Sequence, residues 1–345
     1  MKRIVTAISL ISLLCSCKGY KDLSVSEFDQ KLGADSSVQL VDVRTPEEFA
    51  QGHLAGALNI DWEGADFKKK VKEELTTARP VMVYCRSGRR SAESALFLHE
   101  QGFKVYNMKG GIGAWTEAGK RVTKYEVERF WTPAGEPVEI TLIKHGSLEI
   151  GYQGLSIQID PVAGLGKPTD YATEFPKADV ILVTHEHGDH LEESTIASLI
   201  GPNTILILNG KSQKQIGRGL VMKNGESREL PGGIKLEAVP AYNTTPGREV
   251  FHPKGNGNGY VLTIDGLKIY VAGDTEPVPE MADLKDIDIA FLPVNQPYTM
   301  TLDQCIDAAR TIQPKTLIPY HFGQTNLSPI LDTLPEVDIR IRQMQ

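Results

Sequence analysis

At 345 residues the chain is long for one domain, and two domains are the natural expectation. Hydrophobic residues at 41% and charged residues at 23% suit an ordinary globular composition. A formal net charge of −7 argues against a general nucleic-acid binder, which would show a basic face, so no nucleic-acid partner is expected.

The chain opens with Lys2 and Arg3 ahead of an apolar run, IVTAISLISLLC, too short to cross a bilayer comfortably as a mature helix. That is the shape of a secretory signal, set aside from fold reasoning. It ends in LCSC, with small Ser16 directly before Cys17, and resembles a bacterial lipobox. The resemblance implies a signal over residues 1–17, a lipidated Cys17 as mature N-terminus, and a place in the bacterial cell envelope, lipid-anchored to a membrane in the periplasm or at the outer-membrane face. With Cys17 acylated, Cys85 and Cys305 remain in separate domains, and a disulfide framework is not expected.

From residue 38, short β-rich runs alternate with helical stretches. VQLVDV reads as a buried strand, TPEEFAQG as a short helix and PVMVYC as a second strand. SAESALFLHEQG follows as a helix starting at Ser91 and stopped by Gly102, and KVYNM as another strand. This alternation predicts a parallel α/β domain, placed at 20–122. Periodicity then lapses through RVTKYEVERFWTPAGEP, read as a linker over 123–136. From 137 to 345 the strands VEITLIKHG, LEIGYQG, LSIQIDP, ADVILVTH, TILILNG, IKLEAVPAY, GYVLTIDG and LKIYVAGD dominate. Only EESTIASLIG, TLDQCIDAARTIQ and a few other stretches read as helical, so a β-sandwich with helices outside is expected, without an evident internal repeat.

VYCRSGRRSAESA sets Cys85 between a buried strand and a helix. Backbone N–H groups of such a loop, the helix N-terminus and Arg86, Arg89 and Arg90 together favour a thiolate and a neighbouring anion. Residues 38–120 resemble a single-domain rhodanese: LVDVRTPEEFAQGHLAGALNI matches its opening segment, CRSGRRS its active loop and GGIGAW its closing segment. The resemblance implies that Cys85 accepts a sulfane sulfur from thiosulfate or a persulfide and passes it to a thiol or other thiophilic acceptor. Arg86, Ser87, Gly88, Arg89 and Arg90 would cradle the anion. Asp42 and Arg44 are expected as a structural ion pair and His53 as a packing residue.

VTHEHGDH, residues 183–190, holds three of the chain's eight histidines. The run VILVT delivers His185 to a sheet edge; His185 and His187 can face one cation, with Asp189 and His190 placed for a second. Paired cations about 3.5–4 Å apart need anionic bridges. Asp274 at the end of KIYVAGD and His321 at the end of TLIPYH supply an anion and a further imidazole. Imidazole with carboxylate suits Zn²⁺, with Mn²⁺ and Fe²⁺ compatible.

The pattern resembles the metallo-β-lactamase superfamily, a fold of two packed sheets flanked by helices. QIDPV, VPAYN, FHPKGNGNGYV, AGDTEPVPEM and PYTMT further resemble a hydrolase branch related to L-ascorbate-6-phosphate lactonases and the N-acylphosphatidylethanolamine phospholipase D group. The resemblance implies two divalent metal ions: His185 and His187 on one, Asp189, His190 and His321 on the other, and Asp274 bridging. Many members have histidine where this chain has Asn243, which leaves His252 as either a substitute ligand or a substrate contact. His145 reads as a packing residue and Tyr298 as a pocket-lining one.

The expected function is thus a sulfurtransferase domain fused to a hydrolase. A metal-bound hydroxide would cleave a small-molecule phosphodiester, lactone or similar ester, with Asp189 orienting the nucleophile. Two alternatives stand beside it: a persulfide dioxygenase with a single iron, and a rhodanese domain serving as a non-catalytic sulfur-sensing or docking module.

Overall fold

The computed structural model describes residues 19–342 apart from 36, together with 344. The signal and lipid-anchor segment lies outside the described residues. Among those described, no helix is long and apolar enough to cross a membrane. The chain divides into two compact units, Met1–Val122 and Thr123–Gln345.

The first unit runs β1 (Lys21–Leu23), α1 (Val25–Ala34), β2 (Gln39–Asp42), α2 (Pro46–Gln51), β3 (Leu58–Asn59), α3 (Phe67–Glu74), β4 (Val81–Tyr84), α4 (Arg89–Glu100), β5 (Val105–Met108) and α5 (Gly111–Glu117). All pairings are parallel, in the order β1-β5-β4-β2-β3. Central strand VMVY is buried at every position, as a sheet covered on both faces requires. Helix starts follow local chemistry. Ser24 with Glu27, and Thr45 with Glu48, form capping boxes that satisfy orphan N–H groups of α1 and α2. Helix α4 begins at Arg89 rather than Ser91, because Gly88 takes a left-handed conformation (φ 97°) that ends the loop two residues earlier. Asp42 and Arg44 form the expected ion pair, and His53 stacks on Phe49.

The second unit begins with β6 (Glu126–Trp131), β7 (Pro137–Lys144), β8 (Ser147–Tyr152), β9 (Leu155–Ile159), α6 (Tyr171–Glu174), β10 (Ala178–Leu182), α7 (Glu193–Leu199), β11 (Ile200–Leu208), α8 (Gly210–Ile216) and β12 (Leu220–Val221). It continues with β13 (Ser227–Leu230), β14 (Ile234–Ala241), β15 (Gly257–Ile264), β16 (Leu267–Val271), β17 (Ile289–Pro293), α9 (Leu302–Ile312), β18 (Thr316–Tyr320) and β19 (Asp338–Ile339). Two seven-stranded sheets result, β12 to β6 and β13 to β19. Val138, Ile140 and Leu142 of one sheet and Leu236, Leu262 and Ile269 of the other share a single buried core. Alternation along each strand sends every second side chain there. α6 and α7 pack outside the first sheet and α9 outside the second, completing an αββα sandwich.

Two features depart from the sequence reading. Residues 126–131, expected as linker, form β6, which pairs antiparallel with β7 from Glu126–Leu142 to Trp131–Pro137. Only its edge position made it read as irregular: five of its six residues are partly or fully exposed, so no apolar alternation marks it. Each sheet also repeats the same order, three antiparallel pairings followed by three parallel ones. The halves share backbone topology without visible sequence similarity.

Candidate functional site: a cradled thiol and a His–Asp cluster

In the first unit, β4 delivers Cys85 to the start of the loop that Gly88 closes. The N–H of Gly88 donates to Cys85 Sγ at 3.1 Å. The loop's outer side is clamped by α5: Ile112 N–H donates to the Cys85 carbonyl at 2.8 Å and Gly113 N–H to the Arg86 carbonyl at 3.1 Å. Gly111 makes the clamp possible, since a Cβ there would stand 2.3 Å from the Cys85 carbonyl oxygen. Carbonyls so engaged leave the loop's N–H groups free to face an anion. Arg86 and Ser87 are exposed. Arg90 is held by Glu48 at 2.7 Å, whose carboxyl lies below its usual range chiefly through that hydrogen bond. Arg89 lies 3.4 Å from Glu93 and 3.8 Å from Glu63. The other described thiol, Cys305, lies on the buried face of α9, and burial pushes it up to about 12, beyond useful reactivity.

In the second unit, side chains at strand ends converge. β10 ends at Leu182, and Val183, Thr184 and His185 follow it; a turn then carries His187, Asp189 and His190. Asp274 follows β16, His321 follows β18, and His252 comes from the loop after β14. His185 Nε2 lies 3.1 Å from His187 Nδ1, and His252 groups with both. Asp189 Oδ2 lies 3.5 Å from His321 Nε2 and 4.0 Å from His190 Nε2. Asp274 stands between the two groups. Its Oδ1 is 3.3 Å from His190 Nε2 and 3.4 Å from His321 Nε2; its Oδ2 is 3.2 Å from His252 Nε2 and 3.9 Å from His185 Nε2.

These spacings match a cage for cations. Donors about 2.1 Å from a tetrahedral ion lie roughly 3.4 Å apart. His190 Nε2, His252 Nε2, His321 Nε2 and Asp274 Oδ1 are buried without hydrogen-bond partners, a costly arrangement unless a ligand satisfies them. Outer partners aim three of the rings. Nδ1–H of His190 donates to Asp160 at 2.7 Å and that of His252 to the Tyr298 carbonyl at 3.1 Å. His185 Nδ1–H donates to Thr184 Oγ1 at 3.0 Å, which in turn donates to Asp160 at 2.6 Å. Each Nε2 is thereby left with its lone pair toward the cluster. Burial, and then the neighbouring imidazoles, hold His185 and His187 below their usual range, in the neutral form that ligation requires. Burial alone would raise Asp189 and Asp274, yet surrounding imidazoles hold both carboxylates below their ordinary range.

Of the sequence candidates, His185, His187, Asp189, His190, Asp274 and His321 are all brought together, and His252 joins them. Asn243 does not. Its amide donates to the Arg248 and Tyr298 carbonyls, at 3.2 and 2.8 Å, so it braces the His252 loop from behind. The exposed Tyr298 ring packs edge-on against Phe251 beside His252. His145, expected as a packing residue, instead faces the cluster, with Nε2 3.1 Å from Asp189 Oδ2. The signal was available: KHG follows an apolar strand just as VTH and PYH do. Asp160 was likewise missed as a residue, although its motif QIDPV stood out.

The known proteins this chain resembles divide along the same boundary. The model of the rhodanese-like domain matches residues 24–118, and that of the β-lactamase superfamily domain matches 139–321. A UPF0173 metal-dependent hydrolase of Thermococcus onnurineus is 32% identical over 195 residues, covering 54% of this chain and 85% of the relative. One from Ligilactobacillus salivarius is 33% identical over 193 residues, with 54% and 85% covered. Among solved structures, a candidate metal-dependent hydrolase of Parabacteroides distasonis is 53% identical with a TM-score of 0.62, covering 64% of this chain and all of the other. A metallo hydrolase of Ignicoccus hospitalis, 23% identical with a TM-score of 0.51 over 60% of this chain and 95% of its own, shares the fold. Sequence, topology and donor cluster thus agree: the chain belongs to the β-lactamase superfamily, among its metal-dependent hydrolases, and carries a rhodanese-like domain in front.

Proposed function

We propose that the second domain holds two divalent cations, zinc by donor chemistry with manganese or iron compatible, and hydrolyses a phosphodiester, lactone or similar ester. The observation that carries this reading is the two-faced carboxylate of Asp274, one oxygen toward His190 and His321, the other toward His252 and His185. His185, His187 and His252 would hold one cation, Asp189, His190 and His321 the other. Cations there would supply Lewis acidity toward the scissile group and bring the pKa of water toward neutrality. The protein's own part is to place negative charge between the two positions, to keep His185 and His187 neutral and to orient the attacking group through Asp189.

For the first domain we propose sulfur transfer. The Cys85 thiolate attacks the sulfane sulfur of thiosulfate, the new S–S bond forms as sulfite leaves, and a thiophilic acceptor then takes that sulfur and restores the thiolate. The loop around Cys85 supports this by presenting N–H groups and arginine charge beside the sulfur. The LCSC segment supports a further reading of the protein as an envelope lipoprotein.

Metal content of anaerobically purified protein tests the hydrolase reading, together with turnover of bis(p-nitrophenyl) phosphate and a lactone panel. Two cations per chain and turnover lost in His187→Ala and Asp189→Ala are expected. One iron per chain with oxygen uptake on glutathione persulfide would overturn it in favour of a dioxygenase.

A further inference from the structure

We propose that His145 is a positioning residue for the second cation site, holding the Asp189 carboxylate in its ligating position; the inference rests on the two-cation reading above. His145 sits in the turn between β7 and β8, in the first sheet, while His321 leaves β18, in the second. Both are non-glycine residues with positive φ, 47° and 48°. Such backbone is held only where the surroundings over-determine it. Here His321 N–H donates to the His145 carbonyl at 3.2 Å, and His145 N–H to the Met344 carbonyl at 2.5 Å. The two rings lie 3.6 Å apart between centroids. This arrangement fixes where the His145 side chain points, and it points at Asp189: Nε2 to Oδ2 is 3.1 Å.

Asp189 needs such a partner. Unlike Asp274, fully enclosed by four imidazoles, its side chain is 33% exposed, and it comes from a turn rather than a strand. A carboxylate on a turn keeps rotamers that point away from the cations. An N–H donor on Oδ2 selects the ligating one before any cation arrives, as outer partners do for His190 and His252. His145 is the equivalent support for Asp189. The neighbouring Gly146 completes the arrangement, because the His190 ring lies over it where a Cβ would stand 2.7 Å from Cε1.

The test is cation binding by the full chain, without reference to turnover. Chelator-stripped wild type, His145→Ala and His145→Gln are titrated with Co²⁺, followed by ligand-field absorption, and their Zn²⁺ content is measured after equilibrium dialysis. In His145→Ala the second binding step weakens about 10–100-fold, while the first, at His185, His187 and His252, stays within twofold of wild type and reports an intact fold. In His145→Gln, which keeps an N–H donor, most of the second-step affinity returns. A His145→Ala protein that takes up both cations as wild type does overturns the proposal alone. Failure of His145→Gln to restore binding overturns the donor role. A wild type that never takes up a second cation overturns the two-cation reading and this proposal with it.

Discussion

Asp160 Oδ2 lies 2.7 Å from His190 Nδ1, and the same carboxylate reaches His185 through Thr184. One buried anion therefore orients an imidazole of each proposed cation position. Asp160→Ala should lower affinity at both positions by about 10–100-fold, against His145→Ala, which acts on one. Competition with a calibrated chelator separates the two patterns; a loss confined to one position would show that the Thr184 relay is inert.

Gly146 and His190 are in contact tight enough to test by a single methyl. A Cβ at residue 146 would lie 2.7 Å from Cε1 and 3.0 Å from Nδ1 of the ring. Gly146→Ala should force His190 off its bond to Asp160, lower cation content, and cost about 1–3 kcal/mol in urea unfolding. Unchanged stability and metal content would mean that the turn yields freely.

Cation removal should destabilise the second domain. The Nε2 atoms of His190, His252 and His321, His321 Nδ1 and Asp274 Oδ1 are buried there without hydrogen-bond partners, a cost that a bound cation would relieve. At a free cation concentration 100 times the dissociation constant, each site contributes about 2.7 kcal/mol. Calorimetry with and without chelator should show the transition of the second domain moving to lower temperature, and the transition of the rhodanese-like domain staying put.

At the thiol loop, Cys85→Ser should abolish cyanide–thiosulfate sulfur transfer while leaving cation content and ester turnover intact. Gly111→Ala tests the loop clamp, because its Cβ would meet the Cys85 carbonyl at 2.3 Å. It should reduce sulfur transfer despite an intact thiol. Retention of full activity in that variant would show that the clamp does not shape the loop.

The Arg90–Glu48 pair has a pH signature. Glu48 is held below its usual range in the folded chain, chiefly by hydrogen bonding to Arg90. A depressed carboxylate stabilises the fold at pH above its unfolded value, and that contribution fades as pH falls through the folded one. Glu48→Gln keeps the capping box with Thr45 but removes the charge. It should cost about 1 kcal/mol at pH 7, with the gap to wild type closing below about pH 4. A gap constant across that range would assign the effect to packing.

Strong periodicity made most of this fold legible. Buried strands such as VMVY and ADVIL, and a helix with its own capping box such as α9, announce themselves locally. What stayed hidden depends on partners distant in the chain. β6 is a strand because β7 pairs with it, and its side chains are too exposed to show alternation. The ligand cluster was readable for the reason that imidazoles at strand ends are chemically expensive unless used. His145 carries the same signature in KHG, but as a lone histidine without an adjacent acid it reads as packing until the two sheets are brought together. The arrival of His252 beside His185 and His187 was also out of reach, since a loop's return path decides which side chain meets the cluster.

The repeated strand order of the two sheets has a consequence for how this site fails. Asp160 follows the fourth strand of one half and Asp274 the fourth strand of the other, and they flank the same ring, one at each nitrogen of His190. Corresponding strands of the two halves thus lead to one carboxylate on each side of this ring. Asp160 and His190 belong to one half and Asp274 to the other, so a slip of one layer past the other by an ångström would part His190 from Asp274 while its bond to Asp160 held. Bound metal would then act as a rivet through the sandwich, and its loss would register as loosening of the whole seam before any strand melts.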